Sequence, residues 1–107
     1  LDSPSGTSLM LAESAAKGRK IKLNKTSDFR KYNELSLRKK GNIGFTSVRA
    51  GDIVGEHEVI FAGTGERLSF RHIASDRSIF ARGALKAAIW SIGKKPGLYD
   101  MNDVLKL

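Results

Sequence analysis

Glu56-His57-Glu58-Val59-Ile60-Phe61-Ala62, followed by Gly63-Thr64-Gly65 and then Arg67-Leu68-Ser69-Phe70-Arg71-His72-Ile73, is the stretch that decides the fold. Side chains on an extended backbone alternate between two faces. Val59 and Phe61 therefore share one face of the first run, and Leu68, Phe70 and His72 share one face of the second. Two such runs joined by a glycine turn pair most simply as a hairpin, burying Val59 and Phe61 beside Leu68 and Phe70. The sheet is expected to be half buried.

On the N-terminal side of the hairpin, Ile43-Gly44-Phe45-Thr46-Ser47-Val48-Arg49 is also β-rich, and Ala50 to Gly55 turns on two glycines. Ile21 and Leu23, alternating with lysines and Asn24, allow a short edge strand. Residues 26 to 42 lose periodicity and read as a polar connection, with a short strand around Glu34 to Leu37. On the C-terminal side, Ser75 or Asp76 caps a helix running through Ile79, Phe80, Ala84, Leu85, Ala88, Ile89 and Ile92. Its apolar arc is too wide for one partner. After Lys94-Lys95-Pro96-Gly97 a short helix should follow Asp100. The class is α+β: a mixed, largely antiparallel sheet of about four strands, with an N-terminal helix and a C-terminal helix packed on it.

The N-terminal helix is expected from Pro4 to about Lys17, with Leu9, Ala12 and Ala16 on one face, Met10 and Leu11 broadening it, and Gly18 as its stop. Its mouth is Leu1-Asp2-Ser3-Pro4-Ser5-Gly6-Thr7. With Ser3 as cap and Pro4 at the first helical position, the amides of Ser5, Gly6 and Thr7 point outward with the positive end of the helix dipole behind them. Such a mouth suits an anion. An ordinary capped helix explains the same residues. The anion reading draws on position: with no strand before it, the motif looks detached from an upstream partner.

The chain has 107 residues, no cysteine and a net charge of +8. That is enough for one modest domain, and it excludes disulfides and thiolate metal sites. No apolar run reaches membrane-spanning length and the start lacks a secretory pattern, so a soluble cytoplasmic protein is expected. Residues 17 to 40 hold ten basic residues against Asp28 and Glu34 and carry the whole excess. With Phe29 and Tyr32 as their candidate stacking residues, they read as a solvated basic loop, and a nucleic-acid partner is not expected. His57 and His72 lack a second ligand at metal spacing and read as histidines with one hydrogen bond each. Glu56 and Glu58 do not form an acid/base pair, and neither glycine-rich turn has the strand-turn-helix setting of a dinucleotide site.

Asp2-Ser3-Pro4-Ser5-Gly6-Thr7, the run from Gly44 to His57, Gly65-Glu66-Arg67-Leu68, Ala74-Ser75-Asp76-Arg77 and Phe80-Ala81-Arg82-Gly83-Ala84, taken in order, resemble the C-terminal part of the dihydrodipicolinate reductase family. The resemblance spans nearly the whole chain. It implies that Ser5, Gly6 and Thr7 hold a carboxylate of a cyclic dicarboxylate substrate. It places the family's proton-donating His and substrate-binding Lys just upstream of Leu1, so no catalytic residue is expected here. NADPH or NADH would belong to an N-terminal Rossmann part, and the chain alone is expected to be inactive and to hold neither cofactor nor metal.

The resemblance also implies a homotetramer built through sheet-sheet contacts. It divides the chain into residues 1-76, for substrate binding and oligomerisation, and 77-107, a helix and tail returning to the nucleotide domain. One departure stands out. Glu34-Leu35-Ser36-Leu37-Arg38 replaces the family's His-Thr-Gly-x-Arg and keeps only the Arg. The alternative function is a small basic nucleic-acid-binding module using residues 17-40; its affinity would fall steeply with salt.

Overall fold

The computed structural model describes residues 3–29, 37 and 39–107. Its elements are α1 (Gly6–Gly18), α2 (Leu23–Thr26), β1 (Ser27–Asp28), β2 (Ile43–Gly44), β3 (Gly55–Ala62), β4 (Arg67–Ala74), α3 (Ser78–Ser91) and α4 (Met101–Leu105). This is the expected α+β mixture. The four strands, however, form two two-stranded sheets where one sheet was expected. β1 and β2 pair in parallel, Ser27 with Ile43 and Asp28 with Gly44, while β3 and β4 form the antiparallel hairpin. The chain separates into two compact units, Leu1–Ile53 with His57–His72, and Val54–Glu56 with Ile73–Leu107.

In the first unit, α1 begins two residues later than the sequence suggested. Ser5 is extended (φ −69°, ψ 157°) and its own hydroxyl accepts from the Ser8 amide, so the cap is Ser5 and neither Ser3 nor Pro4 enters the helix. The far end is at Gly18, as expected, and the chain is closed off just beyond it. Ile21 N–H donates to Ala16 C=O at 3.0 Å and Lys20 N–H to Lys17 C=O at 3.0 Å, the paired bonds of a Schellman ending. That ending puts Lys20, not a glycine, in the left-handed region at φ 55°.

No edge strand forms at Ile21 and Leu23; Leu23 instead opens the short helix α2. The Lys22 carbonyl accepts from both Lys25 N–H and Thr26 Oγ1, each at 3.0 Å, which curls the chain before a ladder can form. β1 follows at once, and no periodicity announced it. β2 is shorter than the run from Ile43 to Arg49. Because β1 offers two residues, the ladder ends with Phe45 N–H on Asp28 C=O at 3.0 Å, and Phe29 stacks on Phe45 with centroids 4.4 Å apart. Most of the strand expected around Glu34 to Leu37 lies outside the described residues.

The hairpin forms where expected, closed by Gly63 N–H on Glu66 C=O at 3.0 Å with Gly65 at φ 78°. Phe61 and Phe70 meet edge to face with centroids 6.3 Å apart. The expected half burial is absent: Val59 is half-buried, but Phe61, Leu68 and Phe70 are exposed, Phe70 by 60%. Alternation fixes which side chains share a face; it does not provide a layer to cover them. Among the described residues the buried hydrophobics are Ala12, Ala16, Ala74 and Val104.

In the second unit, α3 begins at Ser78, where Asp76 Oδ1 accepts from the Ser78 amide at 2.6 Å. Gly83, Ala87 and Trp90, on one stripe, are half-buried, and α4 packs against α3. Trp90 meets Tyr99 edge to face with centroids 5.2 Å apart, Lys94 Nζ lies 4.4 Å from the Trp90 ring, and Tyr99 Oη donates to Lys95 C=O. As expected, a short helix follows Asp100, which forms a capping box with Asp103. The wide arc of α3 stays open, with Ile79, Phe80, Leu85, Ile89 and Ile92 all exposed.

Two outcomes follow from these helix ends. A left-handed lysine is strained where glycine is not, so Lys20→Gly should raise stability by roughly 0.5–1 kcal/mol, read from the denaturation midpoint; a loss would show that α1 does not end this way. The hydrogen bonds from Ser78 hold the Asp76 carboxyl below its ordinary value of 3.8. A depressed folded pKa contributes stability above 3.8 that is lost as pH falls through the folded value. Asp76→Asn should flatten that acid limb of the stability profile, and an unchanged limb would remove Asp76 as its source.

Candidate functional site

The first turn of α1 presents its chemistry outward. An α-helix leaves its first amides without intrahelical acceptors. Here the Ser8 amide is taken by Ser5 Oγ at 3.2 Å, and Leu9 N–H donates to Ser5 C=O at 3.1 Å as the first intrahelical bond. That leaves the amides of Gly6 and Thr7, both on exposed residues, at the positive end of a 13-residue helix. No acidic residue stands in the first turn to cancel the field. The shift of the cap from Ser3 to Ser5 therefore removes the Ser5 amide from the candidate set and supplies the Ser5 hydroxyl in its place.

Gly6 needs no space within the chain, since a Cβ built on it meets nothing within 4 Å. What its missing side chain keeps clear is the approach to the helix mouth. Ser5, Gly6 and Thr7, the residues singled out from sequence, thus occupy three successive positions at one opening. Their arrangement fits a carboxylate held by two amides and two hydroxyl-bearing side chains.

His57 joins this group from β3. Its Nε2 lies 3.2 Å from Ser5 Oγ, and Ser8 Oγ lies 3.1 Å from the same oxygen. The single hydrogen bond expected of this histidine is present, but its partner, 52 residues away, could not be read from spacing. A Ser–His pair invites an acyl-transfer reading. Ser5 is engaged as a helix cap, and among the described residues no carboxylate hydrogen-bonds the His57 ring, so a triad is not assembled. His72 is exposed, and no cluster of three or more potential metal ligands occurs among the described residues.

Beside the mouth, within the same unit, lies an open cleft of about 940 Å³. Ser8, Leu11, Ala12 and Ala15 of α1, with Arg19 just past its end, form one wall, and residues of β2 and the hairpin, including His57, Val59 and Phe61, form the other. It reaches Ser8 and His57 but not Gly6 or Thr7. The basic segment contributes Arg19, whose guanidinium donates to Gly41 C=O at 2.9 Å, while Lys20, Lys22, Lys25, Lys39 and Lys40 are exposed. No helix among the described residues is long and apolar enough to cross a membrane.

Comparison with known proteins gives the chain a family. Residues 1–105 match the family described as dihydrodipicolinate reductase, C-terminus. The 4-hydroxy-tetrahydrodipicolinate reductase of Roseobacter denitrificans is 60% identical over 107 residues, all of this chain and 39% of the relative. Those of Dinoroseobacter shibae and Caulobacter vibrioides are 59% and 58% identical, over 100% and 98% of this chain and 40% and 41% of their own lengths. The chain spans about two fifths of the length of these curated relatives. On a match that runs almost end to end, it belongs to the dihydrodipicolinate reductase C-terminal family.

Proposed function

We propose that this chain is the substrate-binding and assembly part of an NAD(P)H-dependent 4-hydroxy-tetrahydrodipicolinate reductase of lysine and diaminopimelate synthesis, working in the cytoplasm. The observation that carries the reading is the α1 mouth. Two outward amides, on Gly6 and Thr7, and the Ser5 hydroxyl stand together at one helix terminus with no acidic residue in its first turn, in a chain matched along its length to that family. In the proposed complex Gly6 and Thr7 donate backbone hydrogen bonds to a carboxylate of the cyclic substrate, and the Ser5 and Thr7 side chains add hydroxyl donors. These contacts orient the ring without taking part in bond making.

The bound nicotinamide supplies the hydride. Neither glycine-rich turn of this chain suits its pyrophosphate. Gly51 to Gly55 and Gly63 to Gly65 lead into β3 and β4, not into a helix whose terminus could take a pyrophosphate. The cofactor, together with the proton donor and the substrate lysine, is assigned to a preceding part of the enzyme. Residues 1-76 would then bind substrate and form the tetramer, and 77-107 would return to the nucleotide domain, which would cover Ile79, Phe80, Leu85, Ile89 and Ile92.

Assembly is the second half of the proposal. Phe61, Leu68 and Phe70, which share one face of the hairpin, are each at least 40% exposed. An apolar sheet face this bare matches an oligomer interface better than a solvated surface.

Tests are made on the full-length enzyme. Thr7→Val should raise KM for the dicarboxylate roughly tenfold, the scale of a lost hydrogen bond to a charged group, and leave KM for the nicotinamide unchanged. Gly6→Ala should raise the dicarboxylate KM while leaving the melting temperature the same or slightly higher, because its Cβ obstructs a ligand and nothing else. A weakened cofactor with unaffected substrate would refute the placement. Phe70→Asp should reduce the assembly to smaller species by light scattering; an intact tetramer would remove the hairpin from the interface.

A further inference from the structure

We propose that His57 is a positioning residue for substrate: its Nε2–H donates to Ser5 Oγ and thereby turns the Ser5 hydroxyl hydrogen outward, toward the carboxylate. This inference rests on the proposed carboxylate site. A hydroxyl has one hydrogen and two acceptor lone pairs. Ser5 Oγ has three polar neighbours, the Ser8 amide at 3.2 Å, Ser8 Oγ at 3.1 Å and His57 Nε2 at 3.2 Å. The cap occupies one lone pair. What His57 does with the rest decides what Ser5 can offer a ligand.

If Nε2 carries the hydrogen, it fills the second lone pair, and the Ser5 hydrogen is left for Ser8 Oγ or for an incoming anion. If Nε2 is bare, it accepts that same hydrogen, and Ser5 turns a lone pair toward the carboxylate. A lone pair facing a carboxylate repels it, so the two tautomers differ in dicarboxylate affinity, and binding favours the Nε2–H form by the same factor. His57 has no need to touch the substrate. It acts from β3 through one oxygen at the helix mouth.

The test measures calorimetric affinity for pyridine-2,6-dicarboxylate, a stable cyclic dicarboxylate, in the full-length enzyme at one fixed pH. His57→Phe, which keeps a ring and loses the donor, should weaken binding about tenfold, and His57→Gln, which restores an N–H donor, should recover most of it. In a Ser5→Ala background, the His57→Phe effect should vanish, since the oxygen through which it acts is gone. The 15N shifts of His57 should move toward the Nε2–H tautomer on saturation.

An effect of His57→Phe that persists in Ser5→Ala would overturn the inference and make the histidine a packing residue. The inference is equally overturned if His57→Phe leaves affinity unchanged while Thr7→Val lowers it, an outcome that keeps the carboxylate site. If neither change affects binding, the carboxylate site fails and the inference with it.

Discussion

Ser5 Oγ is where the constraints on the first unit meet. As a helix cap it fixes the start of α1 at Gly6, and through His57 Nε2 it ties that start to β3, 52 residues away. Capping hydrogen bonds of this kind contribute about 1 kcal/mol, a small amount beside apolar burial in most proteins. Here the balance differs. α1 buries Ala12 and Ala16, two small side chains, and an open cleft separates much of the helix from the hairpin. With little packing to hold α1 against the sheet, a directional polar contact decides where its mouth points.

The sparse burial has its own logic. Burying a Leu, Ile or Phe stabilises by about 1.5–3 kcal/mol, and Phe70, Leu85, Ile89 and Ile92 are all more than half exposed in the single chain. Leaving so much apolar surface bare is consistent with cover supplied by other copies or other domains. Proposed assembly and proposed substrate binding are then linked. The hairpin that would meet neighbouring subunits also carries His57 to the α1 mouth, so the same strand serves both.

Local features were legible in the sequence where a local signal set them. The hairpin followed from alternation around Gly63-Thr64-Gly65, and α4 from Asp100. The α1 mouth was found from Ser5, Gly6 and Thr7 although its cap was misplaced, because Ser3 and Ser5 are chemically alike and only backbone conformation chooses between them. Two features had no local signal. β1 is a two-residue parallel pair with β2, set by a contact across 16 residues of sequence. The Ser5–His57 bond joins a helix start to a strand far along the chain. Exposure of the hairpin face was likewise hidden, since alternation is identical whether the cover comes from the same chain or from another.

The most direct test of the account is the amide spectrum of the 15N-labelled full-length enzyme during titration with pyridine-2,6-dicarboxylate. Hydrogen bonding to a carboxylate should move the Gly6 and Thr7 amide resonances downfield with one shared saturation curve. If other amides shift saturably while Gly6 and Thr7 stay fixed, the carboxylate binds elsewhere and the α1 mouth is an ordinary capped helix start.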